Sequence, residues 1–118
     1  MSRDVRLYLE DILLACQKTQ RYTSGMSFKQ FIQDDRTYDA VNRNLEIIGE
    51  AARKIPPEFQ WGNPTVEWRS ISSFRNLLAH EYFSIKDEIL WDIIQNKVPG
   101  LHELIQAILV KITENEQC

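Results

Sequence analysis

Glycine, proline and cysteine are scarce in this chain: four, four and two among 118 residues. So little glycine and proline excludes a collagenous, linker-like or low-complexity chain. Two thiols, one at Cys16 on an expected core position and one at Cys118, have no common spacing logic and predict neither a disulfide nor a metal knuckle. Reduced thiols are expected. No apolar run approaches the roughly 20 residues of a membrane span, and the opening Met1-Ser2-Arg3-Asp4 lacks the apolar stretch of a signal peptide, so the cytosol is the expected compartment. A phosphate-cradling glycine loop and a His/Cys metal spacing are both missing, so no cofactor and no metal are expected. Positive charge is short as well. Fourteen Lys and Arg against 17 Asp and Glu give a formal net charge of −3, which counts against wrapping a long nucleic-acid duplex and leaves room for a short local contact or a basic partner.

What is present is ordinary globular composition, 43% hydrophobic, and helical periodicity throughout. One domain over residues 1–118 is expected, with one sizeable core. Ser2 can cap a first helix whose apolar stripe is Val5, Leu9, Ile12, Cys16 and Thr19, ending near Tyr22 before a turn at Thr23-Ser24-Gly25. Ser27 and Gln30 have capping-box spacing for a short helix carrying Phe28, Phe31 and Ile32. From Asp34 or Asp35 a long helix follows, with Tyr38, Val41, Leu45, Ile48, Ala52 and Ile55 alternating at three and four. Pro56-Pro57 stops it, and the stretch through Thr65 reads as a surface loop. Trp68, Ile71, Phe74 and Leu78 open another helix. Ser84 is placed to cap the next, with Ile89, Leu90, Ile93 and Ile94 facing inward. Pro99-Gly100 reads as a break before a last helix buried through Leu101, Leu104, Ile105, Ile108 and Ile112. Sustained period-two alternation is absent. The fold class expected is all-α, an antiparallel bundle of about five to six helices.

The densest chemistry lies in Arg75-Asn76-Leu77-Leu78-Ala79-His80-Glu81-Tyr82. Cleaving a phosphodiester through its own 2′-hydroxyl requires a base for that hydroxyl, an acid for the departing oxygen and positive charge for the pentavalent intermediate. His80 can serve as acid or base near neutral pH, and Arg75 stays charged and grips phosphate oxygens in pairs. Asn76, one turn before His80, can fix the imidazole or hold a phosphate oxygen. Each residue alone reads more often as a structural or surface group, and only the combination points to chemistry. At about 100° per residue, Arg75 and His80 sit roughly 140° apart on a helix, so one helix does not bring them together. Two remedies are expected together: the helix ends near His80, and two copies meet across a twofold axis and pool both side chains. The only other histidine, His102, reads as an exposed residue of the last helix. Along the long helix, Arg43, Glu46 and Glu50 share a face, as an acid-base network that orients Arg75 or as a solvated stripe. Gly49, inside a strong helix, suggests a close approach by a neighbour.

With these residues in view, the chain resembles the HEPN superfamily and, within it, the HepT-like group of small toxins. The resemblance rests on Arg75, Asn76, His80 and Tyr82 in an Arg-x4-His-x-Tyr pattern, on the run from Arg43 to Ala51, and on the order of helices. It implies a metal-independent endoribonuclease acting on RNA as a homodimer, with Arg75 and His80 catalytic and Asn76 supporting them. It also implies a minimal nucleotidyltransferase antitoxin as partner, able to transfer AMP to Tyr82, where nucleotide phosphates would block the groove and neutralise its cations. An alternative is a helical module that binds the nucleotidyltransferase without cutting RNA.

Overall fold

The computed structural model describes residues 4–73 and 87–117, and every element among the described residues is helical. The first helix, α1, spans Val5–Thr23. Its cap is Asp4, not Ser2, which lies outside the described residues: the Asp4 carboxylate accepts the Arg6 backbone N–H at 2.9 Å. A carboxylate there also faces the positive end of the helix dipole. Leu9, Ile12, Ala15 and Cys16 are buried along one stripe, as the spacing predicts. Thr19 and Thr23 are buried too, and each hydroxyl donates to the carbonyl one turn back, of Ala15 and of Thr19, both at 2.8 Å. Those bonds are what make two buried hydroxyls tolerable in an apolar stripe.

Gly25 turns the chain with φ +77°, in the left-handed region open to glycine. The short helix α2, Phe28–Gln33, starts on the expected capping box: the Gln30 N–H donates to Ser27 Oγ at 3.2 Å, and the Ser27 N–H donates to Gln30 Oε1 at 2.9 Å. Asp34 then caps α3, Asp35–Arg53, by accepting the Thr37 N–H at 3.0 Å. Val41, Leu45, Ile48 and Ala52 form its buried seam, and Ile55 is buried just past its end.

Residues 56–65 depart from the loop expected there. Pro57–Gly62 form a helical turn, α4, with Pro56 in the cap position. A proline pair ends one helix yet suits the start of the next, because Pro at the first position gives up only an N–H that has no partner there. The Gln60 amide ties α4 back by donating to the Ile55 carbonyl at 2.9 Å. Another helix, α5, is described over residues 68–73. Trp68 anchors it, 5% exposed, with its indole N–H on the Asn63 carbonyl at 3.0 Å and its ring 6.5 Å from that of Phe59.

The break expected at Pro99-Gly100 is absent. The chain is helical without interruption from α6, Asp87–Asp92, through a π-helical turn at Ile93–Lys97, into α7, Val98–Gln117. In the π turn the Val98 N–H reaches Ile93 O, five residues back. That wider turn sits immediately before Pro99 and opens the carbonyl ladder where the pyrrolidine ring would otherwise clash. At about 1.5 Å per residue, this run accounts for most of the 49 Å long axis of the molecule. Leu90, Ile94, Val98 and Ile105 face the core, but Ile89 is 51% and Leu104 36% exposed, contrary to expectation.

Packing assembles these pieces into one bundle. α1 lies along α3 and α7, and α2 bridges α3 and α6. Tyr8, near the start of α1, lines one cleft with Glu50 and Lys54 at the end of α3, so the two helices run in opposite directions. Phe31 is the keystone of α2: it is fully buried, with its ring centroid 5.3 Å from Tyr38 of α3 and 5.2 Å from Trp91 of α6.

Candidate functional site

Of the residues singled out by sequence, Arg75, Asn76, His80 and Tyr82 lie outside the described residues, as does the Ser84 cap. Glu46 and Glu50 are described, on the face of α3 that turns away from its buried seam. They line a cleft of about 310 Å³ between α1 and α3, with Tyr8, Asp11, Arg43 and Lys54. The helical register of α3 brings Arg43, Glu46, Glu50 and Lys54 to one side, and the opposed direction of α1 sets Tyr8 and Asp11 against them.

The charges in this cleft are interleaved. Arg43 stands 3.9 Å from Glu46, while Glu50 is shared by Arg53 at 3.7 Å and Lys54 at 3.6 Å. The Arg43 side chain is 69% exposed, and ion pairs this wet contribute little to stability. Their value is in shape: two carboxylates are held at the cleft wall by cations spaced along the same helix. Arg53 and Lys54 also complement the negative end of the α3 dipole. Such a wall can orient a guanidinium brought to it or a polar ligand edge. Among the described residues no group of three or more His, Cys, Asp or Glu is placed to hold a metal ion.

Tyr8, Asp11 and Lys54 are members of the cleft that sequence reading missed. Lys54 stands four residues after Glu50, a spacing that pairs opposite charges on one face. Tyr8 and Asp11 carry no such signal, because their place depends on how α1 packs. His102, expected to be exposed, is half-buried, and its Nε2 is shielded from solvent without a hydrogen-bond partner. Gly49 is buried on α3. Cys16 is fully buried, and burial pushes its thiol up to about 12, which leaves it protonated and unreactive at neutral pH. A second, mainly apolar groove of about 400 Å³ opens where α3, α5 and the π turn meet, with Leu45, Ile71, Val98 and Leu104 among its walls.

A bundle whose described residues are all helical, with Arg-x4-His-x-Tyr in its sequence from Arg75 to Tyr82, is a domain of the HEPN type. The chain belongs to the HepT-like family: the family described as "Ribonuclease HepT-like" matches residues 12–108, a span that includes Glu46, Glu50 and the whole Arg75–Tyr82 segment. Among curated proteins it is similar to "Putative RNase MJ0127" of Methanocaldococcus jannaschii, 39% identical over 115 residues that cover 98% of this chain and 95% of the relative. It is also similar to "Probable ribonuclease HepT" of Thermococcus cleftensis, 38% identical over 101 residues that cover 86% of this chain and 92% of the relative. No solved structure matches it significantly. No helix among the described residues is long and apolar enough to cross a membrane.

Proposed function

We propose that this chain is the toxin of a toxin-antitoxin pair, one domain that cuts RNA without a metal. The observation that carries the reading is a match to a ribonuclease family over residues 12–108, which runs through the segment holding Arg75, Asn76 and His80. In the proposed reaction the 2′-hydroxyl oxygen attacks the adjacent phosphorus and the bond to the 5′ oxygen breaks. A 2′,3′-cyclic phosphate and a 5′-hydroxyl result. His80 transfers protons between these oxygens, and Arg75 holds the non-bridging oxygens as charge builds on them. Asn76 steadies the imidazole. Two copies of the chain pool His80 and Arg75 across a twofold axis, which supplies separate acid and base. Glu46 and Glu50 act behind the reacting groups, orienting Arg75.

The control step belongs to the same reading. A minimal nucleotidyltransferase antitoxin binds the toxin in the cytosol and transfers AMP from ATP to the Tyr82 hydroxyl, two residues from His80, with loss of the phenol proton and release of pyrophosphate. The added phosphate puts negative charge and bulk where the RNA phosphate must sit.

The test is cleavage of cellular RNA by purified protein, with growth scored in cells that express the chain without a partner. His80→Ala and Arg75→Ala each lower cleavage by about 100-fold or more, the range for losing a general acid-base group or a phosphate clamp. Chelator leaves the wild type unaffected. Growth arrest with intact RNA, or His80→Ala cutting at the wild-type rate, overturns the proposal.

A further inference from the structure

The Arg75–Tyr82 segment lies between two anchored points of the chain. Upstream, Trp68 is buried and tied to Asn63, and the Ser72 hydroxyl donates to the Trp68 carbonyl at 3.0 Å. Arg75 follows Ser72 by three residues. Downstream, Asp87 stands seven residues after His80 and five after Tyr82. Its Oδ1 accepts a hydrogen bond from the Tyr38 hydroxyl at 2.7 Å, across 49 positions of sequence. A hydroxyl on a carboxylate at that length is of the charge-assisted kind, stronger and more directional than a neutral pair.

The donor is itself fixed. The Tyr38 ring packs 5.3 Å from Phe31, which is fully buried and stacks in turn on Trp91, one turn along α6 from Asp87. Phe28 closes the cluster with its ring 6.2 Å from Trp91. The Tyr38 hydroxyl therefore reaches Asp87 from a ring that cannot swing without disturbing α2, α3 and α6 together. Packing alone would hold α6 against α2. It would not tie Asp87 itself to α3, and the hydrogen bond does.

We propose that Tyr38 and Asp87 are a positioning pair for catalysis, setting the downstream anchor of the segment that carries Arg75 and His80. Neither side chain touches substrate. They act through His80, whose transfer geometry is sensitive to displacements of about 1 Å. The inference rests on the ribonuclease reading given above.

Four single variants, one double variant and three measurements test it. Tyr38→Phe keeps the ring and removes the hydroxyl, Asp87→Ala removes the acceptor, and Asp87→Asn keeps an acceptor oxygen. Thr19→Val removes a buried hydrogen bond far along the chain, from the hydroxyl that donates to Ala15, and reports stability alone. Tyr38→Phe and Asp87→Ala are expected to lower kcat about five- to tenfold with KM within twofold, and the double variant to fall no further than either single one. Asp87→Asn retains at least half of wild-type kcat. Thr19→Val lowers the melting temperature but keeps kcat. Equal kcat in wild type and Tyr38→Phe, or a kcat loss that follows melting temperature through Thr19→Val as well, overturns the pairing. Should the wild type cut no RNA, the ribonuclease reading falls first. Amide exchange over residues 75–82 then decides the pair: faster exchange in Tyr38→Phe than in Thr19→Val upholds it, and equal exchange refutes it.

Discussion

Replacing Phe31 with alanine tests the packing that places α2, and its magnitude follows from the structure. The side chain is 0% exposed and stacks on Tyr38 and Trp91 at 5.3 and 5.2 Å. Truncating a buried phenylalanine costs about 3–5 kcal/mol, a sum of lost transfer energy and the cavity left behind. Two aromatic neighbours place this site in the upper part of that range, since such pairs add about 0.5–1.5 kcal/mol each. Collapse cannot refill the hole cheaply, because Phe31 packs against rings of both α3 and α6, and α3 is itself held along α1. Total stability for a domain is about 5–15 kcal/mol, so about a quarter or more of it is at stake. Urea unfolding reads the effect: with a slope of about 1.5 kcal/mol/M, a loss of 4 kcal/mol moves the midpoint down by roughly 2–3 M at unchanged slope. Ile89→Ala is the internal control. Half exposed at 51%, it is expected to cost well under 1 kcal/mol. A Phe31→Ala loss below about 1 kcal/mol, or an Ile89→Ala loss that matches it, would refute the reasoning.

Two further outcomes follow from ionisable groups. Because burial holds the Cys16 thiol at about 12, iodoacetamide at pH 8 should leave the peptide carrying Cys16 unlabelled in native protein and label it fully in denaturant; native labelling at the rate of a free thiol would contradict the burial. Asp34 is held below the usual carboxylate range, first by the backbone N–H of Thr37 and then by the Thr37 side chain. A carboxylate lowered by folding stabilises the fold at pH above its unfolded value, and the contribution disappears as pH falls through the folded value. Asp34→Asn keeps a capping oxygen but cannot titrate, so its midpoint should fall less than that of wild type between pH 5 and pH 2, read by thermal melts across that range.

The helices with a strong local code were legible in advance. Ser27 and Gln30 announced α2 because both halves of a capping box lie within four residues of chain. The alternation from Tyr38 to Ile55 announced α3 because one seam is buried along its whole length. Residues 57–62 were misread since a proline pair terminates and initiates with the same two letters, and only the Gln60 amide reaching back to Ile55 shows which. Pro99-Gly100 was misread for a related reason: a proline reads as a break unless the turn before it widens, and that widening has no sequence signature. Ile89 and Leu104 look apolar enough for the core but fall at its rim. In the cleft, Glu46 and Glu50 could be placed on one face from their spacing alone. Tyr8 and Asp11 could not, because they reach the cleft by the packing of α1 on α3. Arg75 and His80 are the most legible chemistry in the chain, yet no spacing rule says how they meet.

The π turn at Ile93–Lys97 gives this chain one spare residue of length. A five-residue hydrogen-bonded loop absorbs an additional amino acid without rotating what comes after it, so losing one residue there would restore ordinary winding and leave Leu101 and Ile105 aimed as before. The same loss within α7 would twist every later side chain by about 100°. Pro99 ties the two together. Tightening the coil upstream of it would bring back the clash that the wide turn now avoids, at about 3 kcal/mol. Shortening at Gln95 and replacement of Pro99 are therefore changes that a lineage can accept only as a pair, and homologues one residue shorter at this point should carry something other than proline there.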